Sequence, residues 1–212
     1  MLSRALIKSL PLLLLLAGCA GTGGTQQSSS SAPDRVAAGA DAQATAIPPQ
    51  VLTLWEQATA AMASGDLLDA ELRFKEFLLL YPDYPGAHVN LAIIHASNGN
   101  DAAVRESVDA ALALDPNNPA ALNQLGMLLR RNGNFFEAEA AYLKAVTSSP
   151  DYALAHYNLG VLNELYLQRL DVALQHFKTY QELVGGDEQV EKWITDLTRR
   201  VQASQPTANV AE

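Results

Sequence analysis

Four histidines, one cysteine, a few acidic pairs and a scatter of serines are the residues of this chain that could do chemistry. Their spacing argues against catalysis. His88, His95, His156 and His176 form no HExxH, and none has a cysteine or a carboxylate cluster at ligand spacing, so no metal site is expected. They read as packing or surface residues. Cys19 stands alone, so it makes no internal disulfide and no cysteine-based zinc centre. There is no GxSxG elbow, and the glycines of 21–24 follow no strand, so they are not a phosphate cradle. Glu137 and Glu139 read as a solvated helix face. No enzymatic activity is expected of the chain alone.

Composition narrows the partners. The 212 residues carry 14 Lys plus Arg against 23 Asp plus Glu, a formal charge of −9. A chain of that sign repels phosphate backbones, which excludes nucleic acid as a partner. Apolar types make up 49% of the residues, enough for a sizeable core.

Residues 1–18 pair a basic start (Arg4, Lys8) with the apolar run Leu10–Ala17. Such a run is short of the ~20 residues that span a bilayer and has the layout of a cleaved export signal. It ends in Leu16-Ala17-Gly18-Cys19, which resembles the lipobox of bacterial lipoproteins. That resemblance implies cleavage before Cys19 and a covalent lipid on its thiol and new amino terminus. Several acyl chains anchor a protein stably. Ala20 stands where enteric lipoproteins retained in the inner membrane carry Asp, so the implied location is the periplasmic face of the outer membrane. Apart from the lipid, no cofactor is expected. Loss of Arg4 and Lys8 would move the charge from −9 to −11.

Residues 19–50 are rich in Gly, Ser, Thr, Gln, Ala and Pro and nearly free of large apolar side chains. They read as a flexible tether, with an end-to-end distance of roughly 30 Å. The tail 204–212 reads as disordered.

The region between repeats itself. Pro82, Pro116 and Pro150 are 34 residues apart, as are Gly65, Gly99 and Gly133. Ala70, Val104 and Ala138 keep the step, and so do Leu91, Leu125 and Leu159, each followed by Ala or Gly. The period and residue types resemble the tetratricopeptide repeat. Residues 119–152 match best, with Leu125, Gly126, Ala138, Tyr142, Ala145 and Pro150. The resemblance implies an all-α solenoid of about four helix-turn-helix repeats, 51–84, 85–118, 119–152 and an atypical 153–186. Leu125 and Tyr142 are expected to fill the core between the paired helices of the third. The fourth has 13 steps from Gly160 to Ala173 where the others have 12, and it lacks the turn glycine. One inserted residue and a longer or distorted first helix around 163–170 are expected there. Residues 187–203 place Val190, Trp193, Ile194, Leu197 and Val201 on one helical stripe, which reads as a cap on the last repeat.

In the tetratricopeptide family the first helices line a concave groove, through the second, fifth, ninth, twelfth and thirteenth residues of each repeat. Carried over, the groove would hold Trp55 and Met62 from the first repeat, then Val89 and Ile93. The third would add Asn123, Met127, Arg130 and Arg131, and the fourth Tyr157 and Val161. Trp55 reads equally as packing at the N-terminal end, and Val89 and Ile93 as contacts to the next helix. Asn90 and Asn158 stand at the sixth position, but the lysines of the family's carboxylate clamp are missing, so that clamp is not expected.

The implied function is an interaction scaffold in the periplasm, gripping a segment of another envelope protein. The chain is similar to tetratricopeptide lipoproteins that serve type IV pilus assembly, though these generally carry about six repeats. The alternative is an accessory subunit of a TonB-type, gliding-motility or envelope-polymer synthesis complex.

Overall fold

The computed structural model describes residues 49–204. The export signal expected at 1–18, the lipidation expected at Cys19, the tether expected up to residue 48 and the tail beyond Ser204 lie outside the described residues. The described residues form nine helices and no strand: α1 Pro49–Ser64, α2 Leu67–Leu80, α3 Pro85–Ser97, α4 Asp101–Leu114, α5 Pro119–Arg131, α6 Phe135–Ser148, α7 Ala153–Leu165, α8 Leu170–Val184 and α9 Glu188–Ser204. Four helix pairs follow one another, and α9 closes the array. Pro49 and Gln50, expected in the tether, open α1 instead. Proline suits the first helical position, where its missing N–H would have had no partner.

Turn chemistry repeats with the period. Gly65, Gly99 and Gly133 take φ of +82°, +70° and +81°, a region that side chains disfavour. The following N–H then reaches back five residues, Asp66 to Ala61 O at 3.0 Å, Asn100 to His95 O at 2.9 Å and Asn134 to Leu129 O at 2.9 Å. Asp66 and Asn100 next cap α2 and α4 by accepting from the N–H of Asp69 and Ala103. Each such cap contributes about 1 kcal/mol. The second helices stop before Pro82, Pro116 and Pro150. The residues ahead of them, Tyr81, Asp115 and Ser149, are at φ of −134°, −137° and −142°, as a following proline demands.

The fourth repeat corrects one expectation. α7 is 13 residues long, like α3 and α5, and is not distorted. The extra residue sits in the turn 166–169, where Gln168 takes φ of +55°. The N–H of Arg169 bonds to Asn163 O, six residues back, at 2.9 Å. The helical hydrogen bonds of α7 stay intact and one non-glycine residue carries the strain.

Inside each pair a small residue admits a large one. Ala58, Ala92, Gly126 and Gly160 on the first helices are buried, and so are Phe74, Val108, Tyr142 and Phe177 on the second. The Tyr142 ring lies directly over Gly126, and Phe177 over Gly160. Leu125 does not sit between α5 and α6 as expected. It is half-buried and packs back on Ala92, Val104 and Val108 of the preceding repeat, so it ties repeats together. At the far end Val190 and Leu197 of α9 pack with Ala173 and Phe177, with Trp193 and Ile194 beside them.

α3 packs against α5 and α5 against α7, while α2, α4, α6 and α8 make no comparable contacts with one another. Helices crowd together on the inner side of a curved array. The first helices α3, α5 and α7 therefore line its concave face.

Candidate functional site

The concave face is built from equivalent places on α3, α5 and α7. Ile93, Met127 and Val161 share one repeat position, and all three are half-buried. Each packs its inner side on a core cluster, Ile93 beside Val89 and Ala121, Met127 beside Tyr142 and Leu159, Val161 beside Phe177. Met62 is likewise half-buried, against the first repeat's cluster. Ile93, Met127 and Val161, on helices that pack on one another in turn, form an apolar strip with one side open.

Two expected groove residues do not reach it. Val89 is 6% exposed and Asn123 only 2%. Val89 packs with Ala111 and Ala121, at the seam to the next repeat. Asn123 accepts a hydrogen bond from Asn158 Nδ2 at 2.9 Å and turns its own Nδ2 toward Met127 Sδ at 3.7 Å. Two side chains at neighbouring places in successive repeats thus satisfy each other beneath the face. Burial of a carboxamide demands such a partner, and the pair holds α5 and α7 in register.

Trp55 takes the packing role. Its ring meets Phe74 and Phe77 edge-on, with centroids 5.5 Å away in each case, and its Cη2 lies against Gly86. With Val51, Leu52, Phe77 and Tyr84 it lines an apolar cavity of about 180 Å³ at the N-terminal end. Tyr157 is half-buried among Phe177, Tyr180 and Trp193, with centroids 6.1, 5.2 and 6.0 Å away. Burial raises its phenol pKa, and the Arg130 charge opposes that rise.

The adjacent arginines have different fates. Arg131 is exposed and pairs with Asp101 at 2.5 Å, bridging α5 to α4. Arg130 is half-buried, and among the described residues its side chain has no acid and no hydrogen-bond partner. Glu164, the equivalent residue on α7, is held by Arg200 of α9 at 2.8 Å. Glu139 is not a solvated bystander either. It pairs with Arg169 at 2.7 Å and pins the irregular turn of the fourth repeat to α6, while Glu137 stays exposed.

One pair was not legible in the sequence. His156 Nδ1 lies 3.1 Å from His176 Nδ1, and His156 Nε2 lies 3.0 Å from Pro150 O. A carbonyl only accepts, so His156 Nε2–H donates to it. In the neutral pair, His156 Nδ1 then accepts from His176 Nδ1–H. Burial, and secondarily the His156 charge, push the His176 pKa down to about 4. No group of three or more metal-binding side chains occurs among the described residues, and no described helix is long and apolar enough to cross a membrane.

A model of the tetratricopeptide repeat matches residues 56–119 and 123–188. Cellulose synthase operon protein C of Xanthomonas axonopodis pv. citri (strain 306) is 37% identical over 87 residues, which is 41% of this chain and 6% of that protein. The chain spans less than a tenth of the length of the curated relatives it matches. The structure of PilF from Pseudomonas aeruginosa superposes with a TM-score of 0.64 at 22% identity, covering 72% of this chain and 69% of that one. The first such domain of Spaghetti (RPAP3), solved with an HSP90 peptide, superposes with a TM-score of 0.52 at 17% identity, covering 56% of this chain and 95% of that one. At these identities the two structures share the fold.

Proposed function

The chain belongs to the tetratricopeptide repeat family, and from that premise we propose that it is a lipid-anchored scaffold of a bacterial cell envelope whose concave face grips an extended segment of another protein. The observation that carries this reading is the strip Ile93, Met127 and Val161, repeated at one position and open on one side. Half-buried apolar side chains in a row are where a partner gains the most from excluding water. The RPAP3 domain, a chain of the same fold, was solved with a peptide, which supports a peptide-like occupant here. Placement, not chemistry, is the mechanism: an acyl anchor on Cys19, a tether up to residue 48, and a rigid array that holds its partner near the periplasmic face of the outer membrane.

The resemblance to pilus-assembly lipoproteins, together with the fold shared with PilF, favours a pilus machine as the setting. A second reading, an accessory subunit of an envelope-polymer synthase, is favoured by the 37% identity to a protein of a cellulose synthase operon.

Photocrosslinking in the native host decides between them. A probe at Met127 is expected to capture one envelope protein that a probe at exposed Glu137, on the outer helices, does not. Capture of pilus components names the first machine, and capture of a synthase subunit names the second. Equal capture from both positions would overturn the concave-face reading. Loss of membrane association on Cys19→Ser is the expected result for the anchor, and a chain that still partitions with membranes would refute it.

A further inference from the structure

Among the described residues Arg130 is the arginine left without a partner. Among the described residues Arg73, Arg105, Arg131, Arg169, Arg199 and Arg200 each pair with an acid at 2.5–2.8 Å. Arg130 pairs with nothing, yet its Nη1 is sealed from solvent without a hydrogen bond. The helices packed on α5 are short of partners too. On α6 the Tyr142 hydroxyl is buried and unbonded, and so is Asn163 Oδ1 on α7. Arg130 lies in the last turn of α5, which packs on both α6 and α7, and its charge acts on Tyr142 of α6 and Tyr157 of α7, so the guanidinium faces the seam between the third and fourth repeats. Buried polar atoms are nearly always bonded in native proteins, and a partly desolvated charge without a counter-ion destabilises the chain that holds it.

We propose that this seam takes the side-chain carboxylate of an aspartate or glutamate in the partner segment. The inference rests on the concave-face reading above and deepens it. With Nη1 sealed, Nε and Nη2 remain as the open pair of donors, and such a planar pair matches a carboxylate in charge and geometry. A side chain fits better than a chain terminus because Arg130 stands mid-strip. Ile93 of α3 lies on one side of it and Val161 of α7 on the other, so a segment ending at Arg130 would leave part of the strip uncovered. The occupant is therefore an extended peptide with apolar side chains on both sides of one acid. An overall acidic scaffold repels acidic partners at long range, so the single acid sets register and specificity more than association rate.

Random 12-residue peptides displayed on phage and selected against the full-length chain in detergent test this. The expected winners share one Asp or Glu flanked by apolar residues. With a synthetic winner, replacing that acid by Asn is expected to raise Kd at least tenfold for the native chain and less than twofold for Arg130→Gln. Arg130→Lys should keep part of the preference, and amidating the peptide terminus should change nothing. Equal affinity for the acid and its amide, the same loss in Arg130→Gln, or dependence on a free terminus would overturn the inference. Arg130→Met in the unliganded chain is expected to melt no lower than the native one, and a clearly lower melting temperature would show the arginine to be structural. Ile93→Glu and Val161→Glu report on the groove itself. Binding that survives both would place the peptides elsewhere and overturn the concave-face reading, and a selection that yields no binder would overturn both.

Discussion

A β-carbon placed on Gly160 would lie 2.6 Å from Phe177 Cε1. Alanine improves helix propensity by about 1 kcal/mol over glycine, but overpacking a rigid core costs 1–3 kcal/mol or more, roughly. The Phe177 ring is itself wedged against Trp193, with centroids 5.5 Å apart, so it has little room to yield. Gly160→Ala is expected to lower stability by ~2 kcal/mol in urea unfolding, and an unchanged midpoint would mean that the ring shifts freely. His176 gives a pH signature at the same scale. Its folded pKa, about 4, lies below the ordinary 6.5, so the unfolded chain takes a proton first as pH falls. The stability that neutral His176 contributes is full above pH 6.5 and is lost as pH drops from there toward 4. Urea midpoints for the native chain should fall across that window, and His176→Gln should flatten the fall. Parallel curves for the two proteins would sink the assignment.

Among the elements, the turn between α7 and α8 and the final helix carry the most local risk. Gln168 holds φ of +55° where the other repeats use glycine. The left-handed region costs a non-glycine residue about 1–2 kcal/mol, and glycine gives back about 0.5–1 kcal/mol of that through its freer unfolded chain. Gln168→Gly should therefore raise stability by ~0.5–1 kcal/mol, read as a rise in melting temperature, and a decrease would show that the glutamine side chain holds the turn. α9 covers Phe177 through Trp193 and ties Arg200 to Glu164 at 2.8 Å. Terminal caps keep a repeat array soluble by covering its last apolar face. Trp193→Ala should cost ~2–4 kcal/mol, less than a fully buried tryptophan would, and should increase self-association in light scattering. A monodisperse, equally stable variant would mean that α9 is not a cap.

For the whole molecule, stability is expected to be graded along the array. Each repeat contacts its neighbours only, so interior repeats hold two interfaces and the first holds one. Amide exchange should be slowest in α4–α7 and fastest in α1, whose Leu52 is exposed beside the N-terminal cavity. Uniform protection from α1 to α9 would indicate a single cooperative unit instead.

The 34-residue period, the helix pairs and their turns were legible because each is decided locally. A glycine permits a left-handed turn, a proline ends a helix, and a small residue lets two helices meet, whatever lies elsewhere in the chain. The stripe of Val190, Trp193, Ile194 and Leu197 was legible for the same reason, since periodicity shows in a short window. Which groove residues stay open was not. Val89 and Asn123 share a repeat position with Trp55 and Tyr157, yet they are buried, because the approach of each repeat to the next sets their exposure. The same holds for charge. Arg131 and Arg130 are neighbours in sequence, but one finds Asp101 and the other finds no acid among the described residues. The pairs that decide this, Arg131 with Asp101, Arg169 with Glu139, Arg200 with Glu164 and Asn158 with Asn123, join residues 30–36 positions apart. Local propensity and periodicity act within a helix or a turn. Only the packed array, where each repeat's rotation against the next fixes side-chain distances, settles which groups meet and which are left for a partner.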